Sequence, residues 1–104
     1  MTREVRLRPK AIADADGEYA YLAARSVASA NRFFQALDRA LDRLATLPFS
    51  GGAWKPEDPE LADIRVIILH GFPNHLVFYR VHEDWVEVIR ILHGARDLEP
   101  LLRD

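Results

Sequence analysis

The stretch that decides the fold is FFQALDRALDRLATL, residues 33–47. Charged and amide side chains separate its apolar residues, which recur at steps of three and four: Phe33, Leu37, Ala40, Leu44 and Leu47. This spacing predicts an α-helix with one apolar face, because such a helix completes a turn about every 3.6 residues. Ser26 is suited to cap the start of this helix, and Pro48 ends it.

A shorter amphipathic helix precedes this one, over about residues 9–25. Its apolar positions are Ile12, Ala15, Tyr19 and Leu22. Because only a few residues separate the two helices, we expect an antiparallel helical hairpin. Before it, Val5 and Leu7 alternate with charged residues, which predicts a short, half-exposed strand.

The second half of the chain is predicted to form strands. A polar segment with glycines and prolines, residues 51–63, is expected to be a surface loop. Strands are predicted at residues 64–69, 75–81 and 85–92, with turns at 71–74 and 83–84. The first of them is nearly continuously apolar, as expected of a strand covered on both faces. Asp97 is suited to cap a short closing helix that ends at Leu102.

This order of elements predicts an α+β fold. The N-terminal strand is followed by the helical hairpin, an antiparallel three-stranded meander and a short C-terminal helix. The first strand is expected to join the sheet, although its neighbour is left open. With 104 residues, the chain is expected to form a single domain over residues 1–104.

Composition and charge narrow the function classes. Fourteen Lys and Arg stand against 16 Asp and Glu, a formal net charge of −2, whereas proteins that bind nucleic acid by charge alone are clearly basic. We therefore expect no direct DNA binding by the chain alone. No apolar run is long enough to span a bilayer and no cysteine is present, so we expect a cytoplasmic protein without membrane contact.

No motif in the sequence indicates metal or cofactor chemistry. His70, His75, His82 and His93 form no helical pair with the spacing of a metal site. The serines lie at predicted caps and turns, outside any nucleophile motif, and no phosphate-binding glycine motif surrounds Gly51. We expect neither a metal nor a cofactor.

The most informative segment is the end of the chain, residues 86–98. Arg90 interrupts an apolar strand, and His93 and Arg96 follow as the strand ends. One interpretation is structural: Arg90 pairs with a loop carboxylate while Asp97 caps the last helix. The other interpretation is a cationic surface of Arg65, Arg90, His93 and Arg96, which could bind a partner or assist acid–base cleavage of RNA.

Three parts of the sequence together resemble a known family. These are the helical hairpin, the segment FPNHLVFYR at 72–80 and the segment VIRILHGARDL at 88–98. They are similar to the RelE/ParE superfamily of toxins from bacterial type II toxin–antitoxin modules, and residues 90–98 resemble the ParE-like branch. The resemblance covers essentially the whole chain.

The resemblance implies one of two activities. ParE-like toxins inhibit DNA gyrase by protein–protein contact and are not enzymes, whereas RelE-like toxins are ribosome-dependent endoribonucleases that cut mRNA. The net negative charge and the lack of an aromatic residue after Arg96 favour gyrase inhibition. If the protein were a nuclease, the residues that match the family's catalytic pattern would be Arg65, Arg90, His93 and Arg96.

The resemblance also implies two binding surfaces. The expected contacts with the target are Arg90, His93, Arg96, Leu98, Leu101 and Leu102. A small ParD-like antitoxin is expected to neutralise the toxin by wrapping around it. Its helix would lie against the hairpin, or an extended segment would be added to the sheet edge, and the candidate contacts are Tyr21, Phe34 and Trp54.

Overall fold

The computed structural model of the protein describes residues 2–94 and 97–103. Its elements, in chain order, are β1 (Glu4–Leu7), α1 (Pro9–Ala23), α2 (Val27–Thr46), β2 (Gly52–Ala53), a 3₁₀ turn (Pro59–Leu61), β3 (Arg65–Leu69), β4 (Phe72–Val81), β5 (Trp85–His93) and α3 (Glu99–Leu102). The predicted α+β class and the order of the main elements are confirmed. None of the described helices is long and apolar enough to cross a membrane.

The five strands form one mixed sheet in the order β1-β5-β4-β3-β2. The predicted antiparallel meander is confirmed, because β3 pairs with β4 and β4 with β5 in antiparallel fashion. The question of the first strand's neighbour is also answered. β1 pairs in parallel with β5, placing Glu4 opposite Trp85 and Leu7 opposite Val88.

The helical hairpin covers one face of this sheet. Ser26 caps α2 as predicted, its hydroxyl accepting the N–H of Ser29 at 3.2 Å. Phe33 and Leu44 are fully buried against sheet residues that include Val77 and Val88. Truncating either side chain to alanine would cost about 2–5 kcal/mol, because the core would lose buried apolar surface and keep a cavity.

The opposite face of the sheet is covered only in part. A second apolar cluster joins sheet residues to the segment before β3 and to α3, and it contains Leu61, Ile64, Phe78, Ile89, Leu92 and Leu102. The prediction that residues 64–69 are covered on both faces is wrong at Ile68, whose exposed fraction is 61%. The second apolar cluster does not extend to Ile68.

The connection between α2 and β3 differs from the predicted loop. It contains β2 and the 3₁₀ turn, and it is fixed to the sheet by a buried tyrosine. The Tyr79 hydroxyl donates to the Pro48 carbonyl at 2.7 Å and accepts the Gly51 N–H at 3.1 Å. A Cβ atom on Gly51 would lie 2.5 Å from this hydroxyl, so only glycine fits there.

Two predicted boundaries in the second half are wrong. The chain reverses over His70 and Gly71 rather than over 71–74, because Gly71 has a φ of 84° that suits a tight turn. Asp97 does not cap α3: that helix begins at Glu99, and its N-cap residue Leu98 makes no side-chain capping bond. Glu99 instead accepts the backbone N–H groups of residues 57 and 58.

Glu87 is the carboxylate that ties β5 to the end of β1. It accepts a hydrogen bond from Arg8 Nε at 2.6 Å, and His82 Nε2 lies 2.9 Å from its other oxygen. Partial burial of Glu87 opposes its ionisation, but the hydrogen bonds with His82 and Arg8 outweigh that effect. The pKa of Glu87 is therefore below its ordinary value.

Candidate protein-binding surfaces

The position of Arg90 follows from an irregularity in β5. Phe78 of β4 lies opposite Arg90, whereas the next residue, Tyr79, lies opposite Val88, so β5 holds one extra residue. Such a bulge breaks the alternation of side chains between the two faces. Ile89 therefore joins the cluster on the partly covered face and Ile91 joins the helix face. Arg90, between them, belongs to neither cluster.

Asp14 of α1 binds this bulge. Its two carboxylate oxygens accept Arg90 Nε at 2.7 Å and Nη2 at 2.8 Å, and Oδ2 also accepts the Ile91 N–H at 3.0 Å. Arg90 Nη1 donates to the Leu101 carbonyl at 3.0 Å. The hydrogen bonds with Asp14 raise the pKa of Arg90 above its ordinary value. Arg90 thus joins α1, β5 and α3.

His93 is exposed at the end of β5, and its ring contacts His75 edge-on with centroids 4.7 Å apart. His75 is buried, and its Nε2 lies 2.8 Å from a carboxylate oxygen of Glu18. His93 also lines a surface cavity of about 350 Å³ with Asp97, Leu98 and Leu101. We call these four lining residues the C-terminal surface.

The structure brings some of the predicted target contacts together. His93, Leu98 and Leu101 share the cavity of the C-terminal surface, and Leu101 also lines a neighbouring cavity of about 380 Å³ together with Arg90. Leu102 is different, because it is buried in the second apolar cluster with an exposed fraction of 1%. Arg96 lies outside the described residues.

The nuclease candidates that the structure describes are held in different places. Arg65 donates from Nη2 to the carbonyl oxygens of Phe49 at 3.1 Å and Gly51 at 2.8 Å, in the connection after α2. Arg90 is bound to Asp14. His93 is exposed on the C-terminal surface.

The predicted antitoxin contacts lie on two sides of the protein. Tyr21 and Phe34 are exposed on the helical hairpin, where the Phe34 ring packs 4.5 Å from that of Tyr19 and Arg25 lies over the Tyr21 ring. Trp54 lies on the other side, against the partly covered face of the sheet, with its ring edge-on to Phe78 at 5.4 Å. A single flat interface would not include all three residues.

Trp54 lines the largest apolar groove among the described cavities, of about 470 Å³. The groove is formed by Gly52, Trp54, Val66, Ile68, Leu76, Phe78 and Leu98, and we call it the Trp54 groove. It lies beside an incomplete sheet edge, because β2 pairs only with Arg65 and Val66 of β3. On that side of β3, no described strand pairs with residues 67–69.

Sequence reasoning missed two residues that shape these surfaces. Asp14 is one of several acidic residues in α1, and only the bulge in β5 distinguishes it from the others. Ile68 has the same apolar character as its buried neighbours, so its exposure carries no signal in the sequence. Among the described residues, no group of three or more His, Asp or Glu side chains is placed to hold a metal ion.

Comparison with known proteins agrees with this architecture. A solved chain from the chromosomal ParDE toxin–antitoxin system of P. aeruginosa superposes with a TM-score of 0.71 at 20% identity, covering 90% of this chain and 98% of that one. At that identity the likeness shows the fold alone. No curated protein matches the sequence. The sequence profile of the ParE toxin of the type II toxin–antitoxin system parDE, however, matches residues 5–98. The chain therefore belongs to the ParE toxin family of type II toxin–antitoxin systems.

Proposed function

We propose that this protein is a cytoplasmic toxin that inhibits DNA gyrase by binding it, without turning over a substrate, and that a ParD-like antitoxin neutralises it. Membership of the ParE family supports the toxin role, and inhibition of gyrase is the activity that the ParE-like resemblance implies. One structural observation supports inhibition by binding over RNA cleavage. It is the set of hydrogen bonds that the basic side chains already make within the protein.

That observation concerns the two arginines that a nuclease would aim at a phosphate. Arg90 gives all three guanidinium nitrogens to acceptors within the protein, Asp14 and the Leu101 carbonyl, whereas Arg65 gives only Nη2, to main-chain carbonyls. A catalytic site needs such groups free to meet charge that develops on the substrate. Their internal bonds favour a protein that recognises a surface over one that performs acid–base chemistry.

The C-terminal surface is the proposed gyrase contact. Leu101 has an exposed fraction of 43% beside His93, and the two residues line one cavity. An exposed leucine next to an imidazole ring is suited to the apolar centre of a protein interface. Arg90 would act here as a positioning residue, since it holds the Leu101 main chain.

The gyrase proposal is tested by trapping cleaved DNA. Purified protein is incubated with gyrase, ATP and supercoiled plasmid, and linear DNA released by detergent and protease is measured. Linear DNA should rise with the concentration of the protein. Leu101→Ser should require about tenfold more protein, which corresponds to about 1.4 kcal/mol of lost contact.

Val27→Ser is the matched control, because Val27 is an exposed aliphatic residue on the helical hairpin. It should behave as the unchanged protein does. Plasmid and gyrase activity unaffected at all concentrations would contradict the proposal, as would equal losses in the two variants. Cleaved transcripts after expression in cells would instead support the nuclease.

Antitoxin binding is proposed to involve both sides of the molecule. The ParDE system whose structure is similar contains an antitoxin, and the candidate contacts here lie on the hairpin and in the Trp54 groove. A partner that wraps around the protein reaches both. The unpaired edge at residues 67–69 can accept main-chain hydrogen bonds from an added strand, while the groove accepts its apolar side chains.

The antitoxin proposal is tested by measuring affinity for the cognate ParD-like antitoxin. Tyr21→Ala and Trp54→Ala should each weaken the complex by about tenfold or more. Gyrase trapping should stay unchanged in Tyr21→Ala, which is the cleaner of the two variants because Leu98 lines both the Trp54 groove and the C-terminal surface. Leu101→Ser should weaken gyrase trapping and leave antitoxin affinity unchanged. If Leu101→Ser weakened antitoxin binding as much as it weakened gyrase trapping, the two surfaces would not be separate and this assignment would fail.

A further inference from the structure

A third exposed apolar site lies where α2 ends. Leu47 and Phe49 have exposed fractions of 59% and 61%, although they follow directly on a well-packed helix. Two guanidinium groups lie over the Phe49 ring, with Arg3 Cζ 5.9 Å and Arg65 Cζ 5.3 Å from its centroid. We call these four residues the Phe49 patch.

The Phe49 patch is positively charged in a chain whose net charge is −2. It borders a cavity of about 360 Å³ lined by Arg3, Thr46, Leu47, Pro48, Phe49 and Ser50, a lining without a carboxylate. Within the described ranges, neither Arg3 nor Arg65 forms an ion pair with an Asp or Glu side chain. Arg8 and Arg90, which are also partly buried, do form such pairs.

The hydrogen-bonding state of the two arginines also points to a missing acceptor. Arg3 Nε and Arg65 Nε have no hydrogen-bond partner, and because both atoms are buried, the terminal guanidinium nitrogens are the groups that a partner can reach. Arg65 uses Nη2 for main-chain carbonyls, and no described residue accepts a hydrogen bond from the Arg3 side chain. An aromatic ring compensates a cation only in part, so both groups gain from a carboxylate placed at the edge of the ring.

We propose that the Phe49 patch binds an acidic peptide segment of a partner protein, with an apolar side chain in the cavity and a neighbouring carboxylate on Arg3 and Arg65. Arginine and aromatic residues are enriched in protein interfaces, where planar bidentate bonds favour carboxylates. Nucleic acid fits less well, because two cations around an apolar centre give few phosphate contacts. The patch shares no residue with the C-terminal surface or the Trp54 groove, so the proposal does not depend on the target.

The test is a titration of the full, isotope-labelled protein followed by NMR. The probe is an acetylated six-residue peptide in which aspartate and leucine alternate, with a lysine–leucine peptide of the same pattern as its counterpart. The acidic peptide should shift the amide signals of residues 46, 47 and 49–51 and the Nε–H signal of Arg3. The basic peptide should leave them unchanged.

Two variants with the same charge change sharpen the test. Arg3→Glu should weaken binding of the acidic peptide at least tenfold, whereas Arg39→Glu, on the exposed side of α2, should change it less than twofold. Phe49→Ser removes the ring while keeping both arginines, and it should also weaken binding. Amide spectra of the free variants establish that each is folded.

Several results would overturn the proposal. These are equal shifts with both peptides, shifts confined to residues outside the patch, or equal effects of Arg3→Glu and Arg39→Glu. Stronger binding of a thymidine dodecamer at the same residues would assign the patch to nucleic acid instead. Line broadening of patch signals with protein concentration alone would assign it to a second copy of the chain.

Discussion

Replacing Asp14 by alanine should destabilise the protein by about 3 kcal/mol. The substitution removes two charge-assisted hydrogen bonds to Arg90 and the acceptor of the Ile91 N–H. Breaking a buried ion pair by removing one partner costs about 3–5 kcal/mol, because a charge is left without compensation. We take the lower end of that range, since the side chains of Arg90 and Asp14 keep exposed fractions of 16% and 14%.

Urea unfolding followed by circular dichroism measures this loss. With a slope of about 1.5 kcal/mol per molar urea, the midpoint should fall by about 2 M. Arg90→Met keeps the length of the side chain and should cost about 2 kcal/mol. The double variant should cost about 1.5 kcal/mol less than the sum of the single variants, because the two residues bind each other. A loss below about 1 kcal/mol for Asp14→Ala, or additive losses, would refute the role given to this pair.

Three other perturbations have expected outcomes. Gly51→Ala should lower stability by about 2 kcal/mol or more through its clash with the Tyr79 hydroxyl, whereas Gly52→Ala, which meets no atom within 4 Å, should leave the melting temperature unchanged. Leu102→Ala should cost about 2–4 kcal/mol in urea unfolding, and its exposed neighbour Leu101→Ala less than about 0.5 kcal/mol; equal losses would contradict the burial of Leu102. Folding lowers the pKa of Glu87, so its contribution is complete above the ordinary value of 4.5 and is lost as the pH falls through the lower folded value. In Glu87→Gln, the decrease in unfolding free energy from about pH 6 to about pH 3 should therefore be smaller than in the unchanged protein, and an equal decrease would count against this linkage.

The helical hairpin could be predicted because its determinants are local. The apolar spacing of residues 33–47, the cap at Ser26 and the short link between the helices all act within a few residues. The meander was accessible for the same reason, since each strand pairs with the next one in the chain. Periodicity and turn residues are sufficient for elements of this kind.

The neighbour of β1 was not accessible, because it is set by pairing between residues about 80 positions apart, such as Glu4 and Trp85. Neither was the bulge in β5. In Val88-Ile89-Arg90-Ile91-Leu92 no alternation is visible, and only the register against β4 shows which side each residue takes. One of the two interpretations of Arg90 paired it with a loop carboxylate, but its partner, Asp14, lies on a helix.

The candidate site also has one part that the sequence could predict and one part that it could not. His93, Leu98 and Leu101 follow one another in the chain, and the structure gathers them around one cavity. Tyr21 and Trp54 were grouped as possible contacts of one partner, yet they lie on different sides of the sheet. Whether a strand residue is exposed depends on whether its face of the sheet is covered. Ile68 is exposed because the second apolar cluster does not extend to its position.

The parallel pairing of the first strand with the last has a consequence for how the protein is made. A ribosome adds about 5–20 residues per second, so roughly 4–16 s separate the synthesis of Glu4 from that of its partner Trp85. Throughout that interval the hairpin has no complete sheet to pack against. The C-terminal surface consists of His93 at the end of β5 and of residues after it, so this surface forms only after β5 has been synthesised.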